Sequence, residues 1–79
     1  MGVNLMKKAL VLGAGGFIGH HLVNRLKTEA YNVTGVDLKF PSYEPTKADD
    51  FVIGNLTEDR FVERIIDRPY DEVYQLAAD

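Results

Sequence analysis

The chain has 79 residues, 46% of them apolar, a net charge of −3 at pH 7 and no cysteine. That is one domain at most, and it excludes disulfides, thiolate metal sites and thiol nucleophiles. The acidic balance, with no Lys/Arg run longer than Lys7-Lys8, argues against a nucleic-acid partner.

No segment approaches the ~20 apolar residues of a membrane span. The glycines inside the first apolar run argue against a secretory signal. With no cysteine, the expectation is a cytoplasmic protein with no membrane partner.

In chain order, Ala9 to Leu12 ("ALVL") is a continuous apolar run that ends in glycines, as a strand buried on both faces does. Ile18, Leu22, Leu26 and Ala30 then recur every four residues, with Val23 beside them. This predicts an amphipathic helix from about Gly16 to Glu29, with Arg25 and Lys27 near its C-terminal dipole. "NVTGVD", Asn32 to Asp37, reads as a second strand. "KFPSYEPTKAD" is polar, holds two of the three prolines and reads as a loop.

"DFVIG" is a third strand. Thr57 before Glu58 and Asp59 looks like an N-cap with acids in the first turn. Phe61, Val62, Ile65 and Ile66 form one face of a second helix, which Pro69 ends. "EVYQLAA" is a fourth strand. The order β-α-β-loop-β-α-β predicts an α/β fold, an open parallel sheet of Rossmann type with helices on both faces. Right-handed crossovers give the strand order 3-2-1-4, with the fourth strand at an edge.

The glycines are spaced Gly13-x-x-Gly16-x-x-Gly19, after a strand and at the start of a helix. That context is what a dinucleotide fingerprint requires. The first glycine lets the chain turn sharply out of the strand. Gly15 and Gly16 leave no side chain between backbone and pyrophosphate. Gly19 lets the helix pack close to the strand. The N–H groups of the helix start face the anion, aided by the dipole. No Gly-Lys-Ser/Thr follows, so the phosphate loop of nucleotide triphosphatases is excluded. Asp37 ends the second strand, where a carboxylate can accept both ribose hydroxyls of the adenosine half. It would repel a 2′-phosphate, which favours NAD over NADP, although Lys39 is near enough to soften that exclusion.

"VLGAGGFIGHHL", "VTGVDL", "FVIGNLTE" and "VYQLAA", in this order, resemble the extended short-chain dehydrogenase/reductase family, the NAD-dependent epimerases and dehydratases of nucleotide sugars. The likeness runs from about Lys8 to Asp79, and "DEVYQLAAD" resembles the GDP-mannose 3,5-epimerase branch. It implies an NAD cofactor and a nucleotide-sugar substrate. On this likeness Gly13, Gly16 and Gly19 are the family's glycines, and Gly15, Phe17 and Ile18 give backbone contacts to pyrophosphate. Asp37 is the ribose ligand. Asn55 accepts from the adenine amino group, where the family usually has Asp, and Leu56 covers the ring. Leu76, Ala77 and Ala78 pass the cofactor's ribose and pyrophosphate.

The sequence departs from the family at Leu12, commonly Thr, and Gln75, often His. The family's catalytic Tyr-x-x-x-Lys, its Ser/Thr partner and its sugar-nucleotide region fall further along than these residues. The expectation is therefore that residues 1–79 are the N-terminal part of a Rossmann domain, inactive alone.

Tyr43 and Lys47 have the Tyr-x-x-x-Lys spacing, but Pro41 and Pro45 put them in a loop, where residues four apart share no face. His20 and His21 point about 100° apart on a helix and form no chelate. Asp49 and Asp50 read as a solvated edge without partners, and Tyr31, Tyr70 and Tyr74 as packing residues. The competing reading is a stand-alone dinucleotide-binding or sensing module without chemistry. A methyltransferase on the same fold is disfavoured by the three glycines and the strand-end Asp. The open row of N–H and C=O groups on the fourth strand predicts a homo-oligomer built around it.

Overall fold

The computed structural model describes residues 6–42 and 44–77. Its elements are β1 (Lys8–Leu12), α1 (Phe17–Thr28), β2 (Asn32–Asp37), β3 (Asp50–Ile53), α2 (Asp59–Ile66) and β4 (Glu72–Gln75). The four strands form one sheet in the order β3-β2-β1-β4. Every neighbouring pair is parallel. Leu10 lies between Thr34 of β2 and Val73 of β4. The Rossmann-type α/β fold read from the sequence is the fold observed.

The β1 run is apolar throughout because both its faces are covered. Alternation along the strand sends Ala9 and Val11 to a core with Val23 and Leu26 of α1 and Val33 of β2. Leu10 and Leu12 point the other way, to Val36 and to Ile65 of α2. The two helices therefore cap opposite faces of the sheet.

The buried face of α1 differs from the expected one. It consists of Gly19, His20, Val23 and Leu26, while Leu22 is half-buried and Ile18 is 69% exposed. Residues four apart drift by about 40° around a helix, so a strict four-residue series leaves its own face. Ala30 lies beyond the helix at φ 64°. At α2, Glu58 and not Thr57 is the N-cap, with no side-chain cap bond. Thr57 instead donates its N–H and hydroxyl to Asn55 Oδ1, at 2.9 and 2.6 Å. β4 stops at Gln75, although the Leu76 N–H still donates to the Leu12 carbonyl at 2.8 Å.

Asp49 was expected to lack a partner and has two. Its carboxylate accepts from Lys27 Nζ at 2.8 and 3.0 Å and from the Val33 N–H at 2.7 Å. A sequence window around Asp49 shows neither, because Lys27 and Val33 lie 22 and 16 residues away. Tyr31 and Tyr74 pack against the α1-side core as expected. Both also donate a phenolic hydrogen bond to Glu72, the Tyr31 one at 2.9 Å.

Candidate functional site

The site is assembled at the carboxyl ends of the strands, beside the turn from β1 into α1. Gly13 sits at φ +98°, the left-handed region that only glycine adopts freely, and a Cβ there would lie 2.8 Å from the Ala77 nitrogen. Gly19 has no room for a side chain either. A Cβ would lie 2.1 Å from the Gly13 carbonyl oxygen, so α1 can start close against the turn only with glycine there.

Gly15 and Gly16 differ from each other. A Cβ on Gly15 would lie 2.3 Å from the Lys39 carbonyl oxygen, so its bareness serves the fold and not only a ligand. A Cβ on Gly16 would meet nothing nearer than the Gly13 oxygen at 3.7 Å, an ordinary contact. The chain's own packing gives no reason for glycine at position 16, which lies exposed at the mouth of the site. Gly16 is also the N-cap of α1, which starts without a side-chain cap and without an acid in its first turn. No acid of the helix itself offsets the positive end of its dipole.

Asp37 lies at the end of β2, half-exposed. Its Oδ2 accepts from the Gly15 N–H at 2.8 Å and its Oδ1 from the Leu38 N–H at 2.7 Å. An ionised carboxylate has about four acceptor positions, so two remain open. Asp37 thereby links the glycine turn to the end of β2.

Gly13, Gly16, Asp37, Leu38, Asn55, Leu56, Thr57, Leu76 and Ala77 together line a cleft of about 240 Å³. Pockets for drug-sized ligands run from roughly 300 to 1,000 Å³, so this cleft suits one nucleoside and not a whole dinucleotide. The structure therefore brings together most of the residues singled out from the sequence. Phe17 and Ile18 are 67% and 69% exposed, and their side chains do not line the cleft. Any contact they make with a bound anion falls to their backbone. The Asn55 carbonyl, expected to face adenine, is engaged by Thr57. Ala78 and Tyr43 lie outside the described residues. Lys47 is exposed in irregular chain between β2 and β3, without the helix that a Tyr-x-x-x-Lys pair needs.

Leu38 and Thr57 were not anticipated as cleft residues. Leu38 follows Asp37 directly and is 64% exposed, an unusual setting for leucine that position alone could have flagged. His20 was also missed. It is fully buried, and its Nε2 pairs with Glu44 Oε1 from the β2–β3 loop. Among the described residues no three His, Cys, Asp or Glu side chains could hold a metal ion, and no helix is long and apolar enough to cross a membrane.

The sequence pattern of the NAD dependent epimerase/dehydratase family matches residues 9–79. The chain belongs to that family. Solved structures agree with this epimerase/dehydratase assignment. A UDP-glucose 4-epimerase from Thermotoga maritima, solved with UDP-glucose, is 32% identical over 91% of the chain, with a TM-score of 0.77. An epimerase from Methanothermobacter thermautotrophicus is 30% identical over 94%, with a TM-score of 0.74. A Rossmann-fold NAD(P)-binding protein from Shigella flexneri is 26% identical over 94% of the chain and 39% of its own, with a TM-score of 0.72. The chain spans only 24% and 23% of the two epimerases. No curated protein sequence matches it. The narrower likeness to GDP-mannose 3,5-epimerases rests on "DEVYQLAAD" alone.

Proposed function

We propose that these residues bind the adenosine and pyrophosphate half of NAD, as the N-terminal portion of a nucleotide-sugar epimerase or dehydratase. The observation that carries the reading is the pairing of Gly16 with Asp37. One is a glycine that folding does not require, at the mouth of a helix dipole. The other is a strand-end carboxylate with two open acceptor positions.

In this reading the residues fit the group. The pyrophosphate lies over Gly16 at the start of α1, where N–H groups and the dipole favour an anion. The ribose hydroxyls donate to Asp37. Leu38 and Leu56 cover the adenine, and Asn55 offers its amide edge. Leu76 and Ala77 pass the ribose and pyrophosphate. NAD, when bound, takes a hydride from a sugar carbon and returns it; this chain's residues hold and orient the end remote from that exchange. Asp37 opposes a 2′-phosphate and so favours NAD over NADP. The substrate class is a nucleotide sugar, the setting a cytoplasmic protein, and the assembly a homo-oligomer through the β4 edge.

Calorimetric titration of the wild type and Asp37→Ala with NAD and NADP tests the reading. Loss of the carboxylate should weaken NAD by about 1.5–3 kcal/mol, the range for hydrogen bonds to a charged group, and should narrow the gap to NADP. Unchanged affinities for both would mean that Asp37 serves the turn alone.

A further inference from the structure

The segment that leaves the site after Asp37 is the connection between β2 and β3, and it is tied down along α1. At its root, Asp37 accepts from Gly15, and the Lys39 carbonyl packs where a Gly15 side chain would be. At its far end, Asp49 accepts from Lys27 of α1. Midway, the Glu44 carboxylate reaches His20 in the first turn of α1. Asn24, one turn further along that face, lies close enough to help His20 hold the Glu44 carboxyl below the usual range. His20 is fully buried while the Glu44 side chain is half exposed, so the loop is the lid over a polar residue that helix packing alone would not seat.

We propose that Glu44 is a positioning residue for the nucleotide site: held by His20, with Asn24 beside it, it keeps the β2–β3 loop docked on α1 and so preforms the Asp37–Leu38 wall of the cleft. This rests on the nucleotide-binding reading above. Leu38, which lines the cleft, has little packing of its own, since it is 64% exposed. Its place is set by the chain on either side. Undocking the loop at Glu44 leaves it tied at the Asp37 root, at the Phe40–Phe51 ring contact and at Asp49, and loosens the chain between these ties. A ligand then meets a binding-competent wall only in the docked fraction, and its apparent affinity falls by that fraction.

The test combines amide hydrogen exchange with titration of ADP-ribose on the wild type, Glu44→Ala, Glu44→Gln and Asn24→Ala. Glu44→Gln keeps an acceptor for His20, and Asn24→Ala removes only the neighbouring amide, so the comparison survives a poorly folding Glu44→Ala. In Glu44→Ala the amides of Leu38–Phe40 and Thr46–Ala48 should exchange faster, and ADP-ribose should bind about tenfold more weakly, as for a docked fraction of about one tenth. Glu44→Gln should lose less than about threefold, with Asn24→Ala between the two. Saturating ADP-ribose should slow the loop exchange again in every variant, because linkage is reciprocal; a role in fold stability alone would instead speed, and on binding slow, exchange across the whole sheet and not in the loop selectively. Faster exchange with unchanged ADP-ribose affinity overturns this inference and leaves the nucleotide reading standing. Unchanged loop exchange in all three variants also overturns it. A wild type that binds no ADP-ribose defeats both.

Discussion

Gly16 and Gly19 separate ligand binding from folding at single positions. In Gly19→Ala the new methyl would overlap the Gly13 carbonyl oxygen, a backbone atom that cannot step aside. The expected cost is at least about 3 kcal/mol, the upper end for overpacking, read as a loss of denaturation midpoint. Gly16→Ala meets no such contact and should cost less than about 1 kcal/mol, the scale of a cap change. It should nevertheless weaken ADP-ribose tenfold or more, about 1.4 kcal/mol, because in the proposed reading the methyl would stand where the pyrophosphate approaches. If Gly16→Ala binds as well as the wild type, the pyrophosphate is not over residue 16. The glycine spacing was legible in the sequence because each position has its own steric reason. What was not legible is that Gly15 is pinned by Lys39, a partner set by the course of the loop. The partner of His20 was not legible for the same reason, as Glu44 lies 24 residues away behind a proline.

Among the elements, β4 carries the polar arrangement that sequence patterning missed. Glu72 receives hydrogen bonds from Tyr74 and Tyr31, which hold its carboxyl below the usual value of 4.5. The Tyr74 hydroxyl is pushed up to about 12 by the same bond, with burial adding to it. Glu72, with its folded pKa lowered, contributes stability above pH 4.5 that is lost as pH falls further. Tyr74, with its folded pKa raised, contributes below pH 10, and that contribution is lost as pH rises from 10 to about 12. The difference in Tm between wild type and Tyr74→Phe should therefore be widest from about pH 5 to 9 and narrow on both sides. A difference independent of pH would show that the phenol acts by packing alone.

The edge of β4 also bears on association. Tyr74 faces the α1-side core, so a charge there would disturb folding. Val73 and Leu76, 51% and 40% exposed, are the positions to alter. If a second copy pairs along this edge, sedimentation should show the wild type as a dimer or larger, and Val73→Lys with Leu76→Lys as a monomer. A monomeric wild type at millimolar concentration contradicts that pairing. The elements themselves were readable from periodicity, because β1 is buried on two faces and β2 ends in a lone acid. The α1 face was legible only in part: Val23 and Leu26 face inward as expected, but a four-residue repeat ignores the drift that brings Gly19 and His20 inward and leaves Ile18 exposed.

At the scale of the whole molecule, the sheet order β3-β2-β1-β4 puts the glycine turn, the end of β2 and the chain after β4 around one cleft. Four short landmarks made that arrangement readable, because parallel strands joined by right-handed crossovers leave few alternatives. The central claim is that these 79 residues recognise the adenosine and pyrophosphate half of a dinucleotide and nothing beyond it. Calorimetric titration of the wild-type chain with NAD and with ADP-ribose tests it most directly. The two should bind with affinities within a few-fold of each other, since in the proposed reading the nicotinamide end would meet none of the cleft residues. NAD bound at least tenfold tighter than ADP-ribose, a gap of about 1.4 kcal/mol, or no binding of either, would contradict the claim.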